Sequence, residues 1–185
     1  MPMRYSPFGL PIALAALIAC GSSVPTSGDV TADQEGQVTL RTDRAAYQAS
    51  LAGGEGPYRR YAVTLAAQLS NGLSIPLYLQ RCYPDTPYPI YGVVSAEEGR
   101  EAAYSPVWAC VGHDRPIVLS AGKTRTDSLP VLGPNTWDGH TNMPSGDLVG
   151  RFRLGYLIGT CRAVVSCELP GGSIESNEFE VGLEP

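Results

Sequence analysis

The chain has 185 residues, 43% of them hydrophobic, and a formal net charge of −5 at pH 7. Its 13 basic residues are outnumbered by 18 acidic ones and form no basic patch. This argues against a nucleic-acid partner, because such binding depends on neutralising phosphates. The size suits one domain with a hydrophobic core.

The N-terminus has the pattern of a secretory signal. Residues 1–19 contain one charge, Arg4, and no acidic residue, and residues 8–19 are apolar apart from glycine and proline. This apolar stretch is shorter than the roughly 20 residues that a membrane-spanning helix needs. We therefore predict a signal peptide over residues 1–19.

The signal ends in the sequence LIAC, residues 17–20, which resembles the bacterial lipobox. The resemblance implies that Cys20 is thioether-linked to diacylglycerol, becomes the mature N-terminus and can be N-acylated, for example with palmitate. Two or more acyl chains hold a protein stably at a bilayer. We expect an anchor on the extracytoplasmic side of a membrane in the cell envelope, with the choice of inner or outer membrane left open. The alternative is an ordinary signal peptide with a chance cysteine.

The lipid-bearing cysteine is followed by a polar segment. Residues 20–35 are small and polar without hydrophobic periodicity, which is typical of a flexible tether. The predicted organisation is therefore a signal peptide (1–19), a lipidated tether (20–35) and one domain (36–185).

Four further cysteines, Cys82, Cys110, Cys161 and Cys167, form an even set. Outside the cytoplasm such a set indicates disulfides, and four cysteines allow three connectivities. We favour Cys82–Cys110 and Cys161–Cys167. A metal site is the competing interpretation, but the chain lacks a CxxC pair and histidines at ligand spacing, so we predict neither metal nor cofactor.

Alternating apolar residues predict short strands along the domain. The clearest case is Tyr61, Val63, Leu65, Ala67 and Leu69 on one face. The predicted strands cover residues 38–41, 61–69, 75–79, 90–94, 107–111, 117–119, 124–131, 152–158 and 179–183. Seven to nine such strands favour an all-β fold, a single β-sandwich, over a closed barrel.

Three stretches resemble the Ig-like domains of secreted and lipid-anchored bacterial proteins, many of unknown function. They are VTLRTDRAAY (38–47), LSAGKTRTDSLPV (119–131) and the pair GRFRLGYLI (150–158) with SNEFEV (176–181). The resemblance implies an Ig-like sandwich over about residues 38–183. Phe152 stands where the family usually has a tyrosine. A more distant similarity is to small Ig-like bacterial proteinase inhibitors.

The two histidines are the main candidates for catalysis. His113 precedes Asp114, and His140 lies near Asp138. No serine lies in a GxSxG motif and neither histidine lies in HExxH, so we predict no enzyme. A hydrolase that uses His113 or His140 is the less favoured alternative.

A cluster of carboxylates, Glu97, Glu98 and Glu101, has two interpretations. A pair of carboxylates with different pKa values can do acid–base chemistry. The small polar neighbours and Arg100 favour a solvated turn instead.

Residues 133–147, GPNTWDGHTNMPSGD, form the most suggestive segment. A fifteen-residue connection between strands is often either functional or disordered. Trp137, Asp138, His140 and Met143 are its candidate binding residues, because tryptophan is a frequent interface anchor. The alternative is that Trp137 folds back over the core as a lid. We expect a non-enzymatic module that binds a protein or glycan at the cell envelope, with an Ig-like proteinase inhibitor or a structural envelope protein as the alternatives.

Overall fold

The structure is a computed structural model. Strands dominate the part of the chain that it describes. It describes residues 36–185 except 84, 107–112, 142 and 163–167, with the backbone alone at 113–114, 136–137 and 168–173. Within these ranges there are thirteen strands, one 3₁₀ turn (Gly56–Tyr58) and no α-helix. The strands are β1 (Val38–Thr42), β2 (Ala46–Gly53), β3 (Arg60–Asn71), β4 (Leu77–Arg81), β5 (Tyr91–Ser95), β6 (Ser105–Pro106), β7 (His113–Leu119), β8 (Thr124–Gly133), β9 (Thr136–Trp137), β10 (Pro144–Ser145), β11 (Gly150–Gly159), β12 (Glu168–Glu175) and β13 (Phe179–Leu183). No helix in this part of the chain is sufficiently long and apolar to span a membrane.

One layer is built around β3. This strand pairs antiparallel with β8 from Tyr61↔Gly133 to Ser70↔Thr124. Its other edge pairs with β1 near one end and with β2 near the other. The short β6 extends the layer beyond β8.

The second layer is built around β11. One edge of β11 pairs with β12 and β13, and the other pairs with β5 and β4. β7 follows β4. β2 pairs with β3 in the first layer and runs parallel to β13 in the second, so the sheet curls from one layer into the other.

The two layers bury the apolar faces that the sequence pattern predicts. Val63, Leu65, Ala67 and Leu69 of β3 are all buried, in the alternation expected for a strand with one face on the core. The all-β sandwich prediction is confirmed. The path ends at β6 and β7, and these two strands do not pair with each other in the described residues, so the described sheet is not closed into a barrel.

Aromatic residues fill the middle of the core. Phe152 is buried and contacts Tyr104 edge-to-face, with ring centroids 5.9 Å apart. Tyr47 contacts Phe179 in the same way at 5.4 Å. The Oη of Tyr47 also donates to Oδ1 of Asp43 at 2.6 Å. Such contacts add to the free energy gained by burying the rings.

The predicted strand count was too low. Eight of the nine predicted strands are observed with shifted ends, and 107–111 lies outside the described residues. Five more strands are present: β2, β12 and the two-residue strands β6, β9 and β10. The two-residue strands are too short to show a period in sequence, and β12 contains Pro170, Gly171 and Gly172, which weaken a strand pattern.

Candidate functional site

The candidate binding segment, residues 133–147, contains a small β-hairpin that the sequence did not predict. β9 pairs antiparallel with β10, with Trp137 opposite Pro144 and Thr136 opposite Ser145. The N–H of Asp138 donates to the carbonyl of Met143 at 2.9 Å and extends this ladder toward the tip. We call residues 138–143 the hairpin tip.

The carboxylate of Asp138 organises the hairpin tip. Its Oδ1 accepts backbone hydrogen bonds from His140 and Thr141, both at 2.8 Å. These bonds, first from Thr141 and then from His140, lower the pKa of Asp138 below its ordinary value. An aspartate that accepts backbone bonds two and three residues on is a common way to stabilise a turn. This geometry gives Asp138 a role in shaping the tip.

The base of the hairpin is tied to residues 101–105 by backbone hydrogen bonds. Ala103 donates to Asp147 and Asn135 donates to Ala103, both at 2.9 Å, and Asp147 donates to Glu101 at 2.8 Å. Both arms of the hairpin therefore bond to one extended segment of the body. This arrangement limits how far the hairpin can move as a unit.

Side chains strengthen the same base. The guanidinium of Arg100 contacts both carboxylate oxygens of Asp147 at 2.6 Å. The hydroxyl of Tyr104 donates to the carbonyl of Leu148 at 2.9 Å. Burial raises the pKa of Tyr104 above the ordinary tyrosine value, so this hydroxyl keeps its proton further into the alkaline range. Sequence reasoning missed these supporting residues because they lie about 45 positions from the residues they hold.

The hairpin tip is open to solvent. His140, Thr141 and Met143 are exposed, and Met143 keeps 36% of its surface accessible. The structure describes only the backbone of Trp137. Its predicted roles, as an interface anchor or as a lid over the core, therefore stay predictions. Of the four predicted binding residues, His140 and Met143 occupy the tip and Asp138 shapes it.

The two histidines lie in different elements. His113 begins β7, where its backbone pairs with Arg81, and His140 lies at the hairpin tip. No described side chain hydrogen-bonds to the imidazole of His140. The described residues also hold no group of three or more His, Cys, Asp or Glu placed to bind a metal ion.

The glutamate cluster lies in the turn after β5. Arg100 contacts Glu97 at 3.0 Å, and Arg151 approaches the same carboxylate at 4.0 Å. Ion pairs at the surface are typical of the solvated turn that we predicted, and each contributes little to stability.

Two of the four cysteines that we predicted to form disulfides lie in the described part of the chain. Cys82 and Cys161 are each disulfide-bonded, and Cys82 is buried. Cys110 and Cys167 lie outside the described residues, as does Cys20. The connectivity and the lipid attachment therefore stay predictions.

Sequence reasoning also missed an open groove between β1 and β12. It has a volume of about 530 Å³ and is lined by backbone and side chains of residues 38–42 together with Ile174, Glu175 and Asn177. No motif marks it, because its two walls are neighbours only in the folded chain.

Comparisons with known proteins identify no family. No family model matches the chain, and no curated protein matches it. One solved structure to which it is similar is an ASH/PapD-like domain of human CEP192, PapD-like domain 7. The two are 9% identical, with a TM-score of 0.31, and the match covers 95% of this chain and 96% of the other.

Proposed function

We propose that this protein is a non-enzymatic binding module, anchored by lipid at Cys20 on the extracytoplasmic side of a membrane, which recognises a protein or glycan through the hairpin tip. The observation that carries the binding role is the contrast between an exposed tip and a base held by several hydrogen bonds. A preorganised surface loses less conformational entropy on binding than a flexible loop.

The chemistry of the tip suits recognition. Met143 offers a polarizable apolar side chain, and Thr141 and His140 offer polar groups beside it. Methionine adapts to irregular partner surfaces, and a mixed apolar and polar patch is typical of a binding interface. The proposal rests on a surface and on no catalytic arrangement.

The anchoring role rests on the sequence of the N-terminus. LIAC followed by a polar tether is the pattern that a lipid-anchored domain requires. Disulfide-bonded cysteines are also typical of proteins outside the cytoplasm. A Cys20→Ser substitution should move the protein out of the membrane fraction and abolish labelling by radioactive palmitate. Membrane association unchanged by this substitution would contradict the anchor.

Photo-crosslinking in the source organism tests the binding role. We would place p-benzoylphenylalanine at position 140 in the full chain and identify captured molecules by mass spectrometry and glycan analysis. The matched control places the same residue at position 126, which is exposed on β8, away from the tip. One dominant adduct from 140 and none from 126 would support the proposal. Equal, unspecific capture at both positions would overturn the role of the tip.

Proteinase inhibition is a second candidate function for the hairpin. A rigid, exposed loop that binds without rearrangement is what a proteinase inhibitor needs. Tight inhibition of one enzyme in a broad proteinase panel, with the tip intact after long incubation, would favour this function. Rapid cleavage within the tip would exclude it.

A further inference from the structure

Arg60, the first residue of β3, carries a guanidinium with an unpaired donor. Its Nη2 donates to Oδ1 of Asn135 at 2.8 Å. Its Nε is buried and has no hydrogen-bond partner among the described residues. The side chain is half-buried, and the ion pairs between described residues do not include it. Because a buried donor on a charged group is costly to leave unpaired, this nitrogen indicates a missing acceptor.

Two other arginines show which acceptor completes such a guanidinium in this chain. Arg100 contacts Asp147 through Nε and Nη2, both at 2.6 Å. Arg125 contacts Asp127 through the same two nitrogens, at 2.9 and 2.5 Å. Nε and Nη2 form a rigid fork that matches the two oxygens of a carboxylate. A carboxylate is therefore the acceptor that this fork is built to hold.

At Arg60 a neutral amide occupies half of the same fork. The amide oxygen of Asn135 accepts from Nη2, and no described group accepts from Nε. The amide nitrogen of Asn135 donates to Oγ of Ser105, which directs the amide oxygen toward the guanidinium. Asn135 is exposed, so its side chain can turn away into solvent. Its amide oxygen thus stands in the position of one carboxylate oxygen.

These polar side chains lie on the outer face of the layer built around β3. Val63 is buried, so the even-numbered residues of β3 face outward, and Arg60 shares this face with Ala62. Ala62 is opposite Leu132 of β8, and Leu132 is opposite Ser105 of β6. Ala62 and Leu132 are half-buried. The guanidinium therefore has apolar side chains next to it on the same face.

The neighbouring strand leaves room beside Arg60. The residue opposite Arg60 is Gly53 of β2, and a Cβ added there would meet no described atom within 4 Å. Residues 51–59 are all exposed. Residues 53–60 carry two arginines and one glutamate, which leaves an excess of positive charge. An acidic group can approach from this side without displacing the body of the sheet.

We propose that Arg60 binds the carboxylate of an aspartate or glutamate on a partner protein. The carboxylate takes the place of the Asn135 amide and pairs with both Nε and Nη2, as in the two complete forks. The apolar surface of Ala62 and Leu132 favours a protein over an acidic sugar, because an arginine beside apolar groups is typical of a protein interface. The site does not involve the hairpin tip, so either can fail without the other.

Titration with blocked peptides, followed by NMR at constant ionic strength, tests this site in the full chain. The probe is acetyl-Leu-Glu-Leu-amide, and the control has glutamine in place of glutamate. We expect a saturable shift of the Nε–H signal of Arg60 with the glutamate peptide and none with the control. No saturation with the glutamate peptide in the millimolar range would overturn the proposal.

A second ligand distinguishes a protein from an acidic sugar. D-glucuronate offers a carboxylate without apolar neighbours. We expect it to bind about fivefold more weakly than the glutamate peptide, roughly the effect of losing one or two buried methylene groups. Equal or tighter binding of glucuronate would overturn a protein as the source of the carboxylate.

Three substitutions separate the fork from general charge, with binding followed at backbone amides. Arg60→Lys keeps the charge but loses the fork, and should weaken binding of the glutamate peptide by about tenfold. Arg59→Lys is the matched control at an exposed arginine and should leave binding unaltered. Equal effects of these two variants would contradict the proposal.

The third variant, Asn135→Ala, removes the competing amide at an exposed position. It should strengthen binding of the glutamate peptide by about threefold, since one hydrogen bond no longer has to be broken. A purely structural role of the contact between Asn135 and Arg60 predicts no such gain. Unchanged or weaker binding by this variant would overturn the exchange of amide for carboxylate.

Discussion

The hydroxyl of Tyr156 donates a hydrogen bond to Oδ2 of Asp127 at 3.0 Å and thereby connects the two layers through the core. Asp127 is only 5% exposed. It also accepts from Nε of Arg125 at 2.9 Å and from Nη2 at 2.5 Å, and Arg125 in turn donates to the carbonyl of Pro87. The buried carboxylate is therefore paired and hydrogen-bonded, as buried charges must be.

Removing this carboxylate should destabilise the protein strongly. We expect Asp127→Ala to lower the free energy of unfolding by about 3 kcal/mol, because a buried ion pair loses one partner. Tyr156→Phe should lower it by about 1 kcal/mol, because Arg125 still satisfies the carboxylate. Urea unfolding measures both effects. Tyr78→Phe, at a half-buried tyrosine, is the control, and an Asp127→Ala effect no larger than this control would refute the prediction.

Asn71 is a second buried polar connection and should be equally sensitive. Its Nδ2 lies 3.0–3.2 Å from the carbonyls of Ile75, Leu119 and Ser120, and its Oδ1 accepts from Leu73. Asn71→Ala leaves buried groups unpaired and should lower the free energy of unfolding by about 2–3 kcal/mol.

Asn71→Asp provides the sharper comparison at this position. It keeps the size of the side chain but directs carboxylate oxygens at the carbonyls, so we expect it to be at least as destabilising as alanine. Ser70→Ala, on the exposed side of the same strand, is the control. Thermal unfolding of the three variants decides, and an Asn71→Asp variant as stable as the original protein would show that these bonds contribute nothing.

Gly133 is required by close packing at the base of the hairpin. A Cβ there would lie 2.9 Å from Cδ1 of Tyr104, 3.0 Å from the carbonyl oxygen of Ala103 and 3.0 Å from Cδ2 of Leu148. We expect Gly133→Ala to lower the free energy of unfolding by about 1–3 kcal/mol, as other overpacked sites do. A Cβ at Gly139 would meet no atom of the described residues within 4 Å, so Gly139→Ala should be close to neutral. Chemical denaturation measures the free energies of unfolding of the two variants. Equal values would show that the base of the hairpin readjusts around the added methyl group and would contradict the prediction.

Buried tyrosines should make stability fall at alkaline pH. Burial raises the pKa of Tyr47 to about 12 and raises the pKa values of Tyr91, Tyr104 and Tyr156 as well. In the unfolded chain these hydroxyls ionise near pH 10. Above that pH the unfolded state binds fewer protons than the folded state, so the free energy of unfolding decreases. Below about pH 9 these groups should contribute no pH dependence.

Urea unfolding between pH 8 and pH 11 measures this dependence. Tyr104→Phe should flatten the decline, because one hydroxyl with a raised pKa is removed. Val131→Ala, a core substitution without a titrating group, should lower stability and keep the slope. A free energy of unfolding that stays constant to pH 11 would contradict the prediction.

The parts of the fold that sequence could predict are those with a local pattern. In β3 and β11 each strand carries its own alternation, so the buried faces with Leu65 and Leu154 could be identified before any pairing was known. β2 has a weaker pattern, because after Tyr47 and Ala49 its residues are exposed. β12 has none, since its position depends on pairing with β11 and on residues such as Gly171 and Gly172 that carry no side-chain pattern.

The candidate site likewise has features that the sequence predicts and features that it does not. Its location in residues 133–147 and the choice of His140 and Met143 came from segment length and residue type, which are local properties. The contact of Arg100 with Asp147 joins residues 47 positions apart, and no spacing rule anticipates it. The same holds for the groove, where residues 38–42 face Ile174 and Glu175.

By itself, the amino-acid sequence determined the all-β class and the inward faces of the main strands, and its charge is the basis for predicting no nucleic-acid partner. Its N-terminal residues are also the entire basis for predicting an anchor at Cys20. Only the tertiary structure decided which strands are neighbours, that residues 133–147 form a supported hairpin and that residues 38–42 line one groove with Ile174 and Glu175. The reason is physical. The hydrophobic period is a property of residues that are neighbours in the sequence, whereas strand pairing and buried polar contacts join residues that are far apart in it. Many different pairings satisfy the same local pattern.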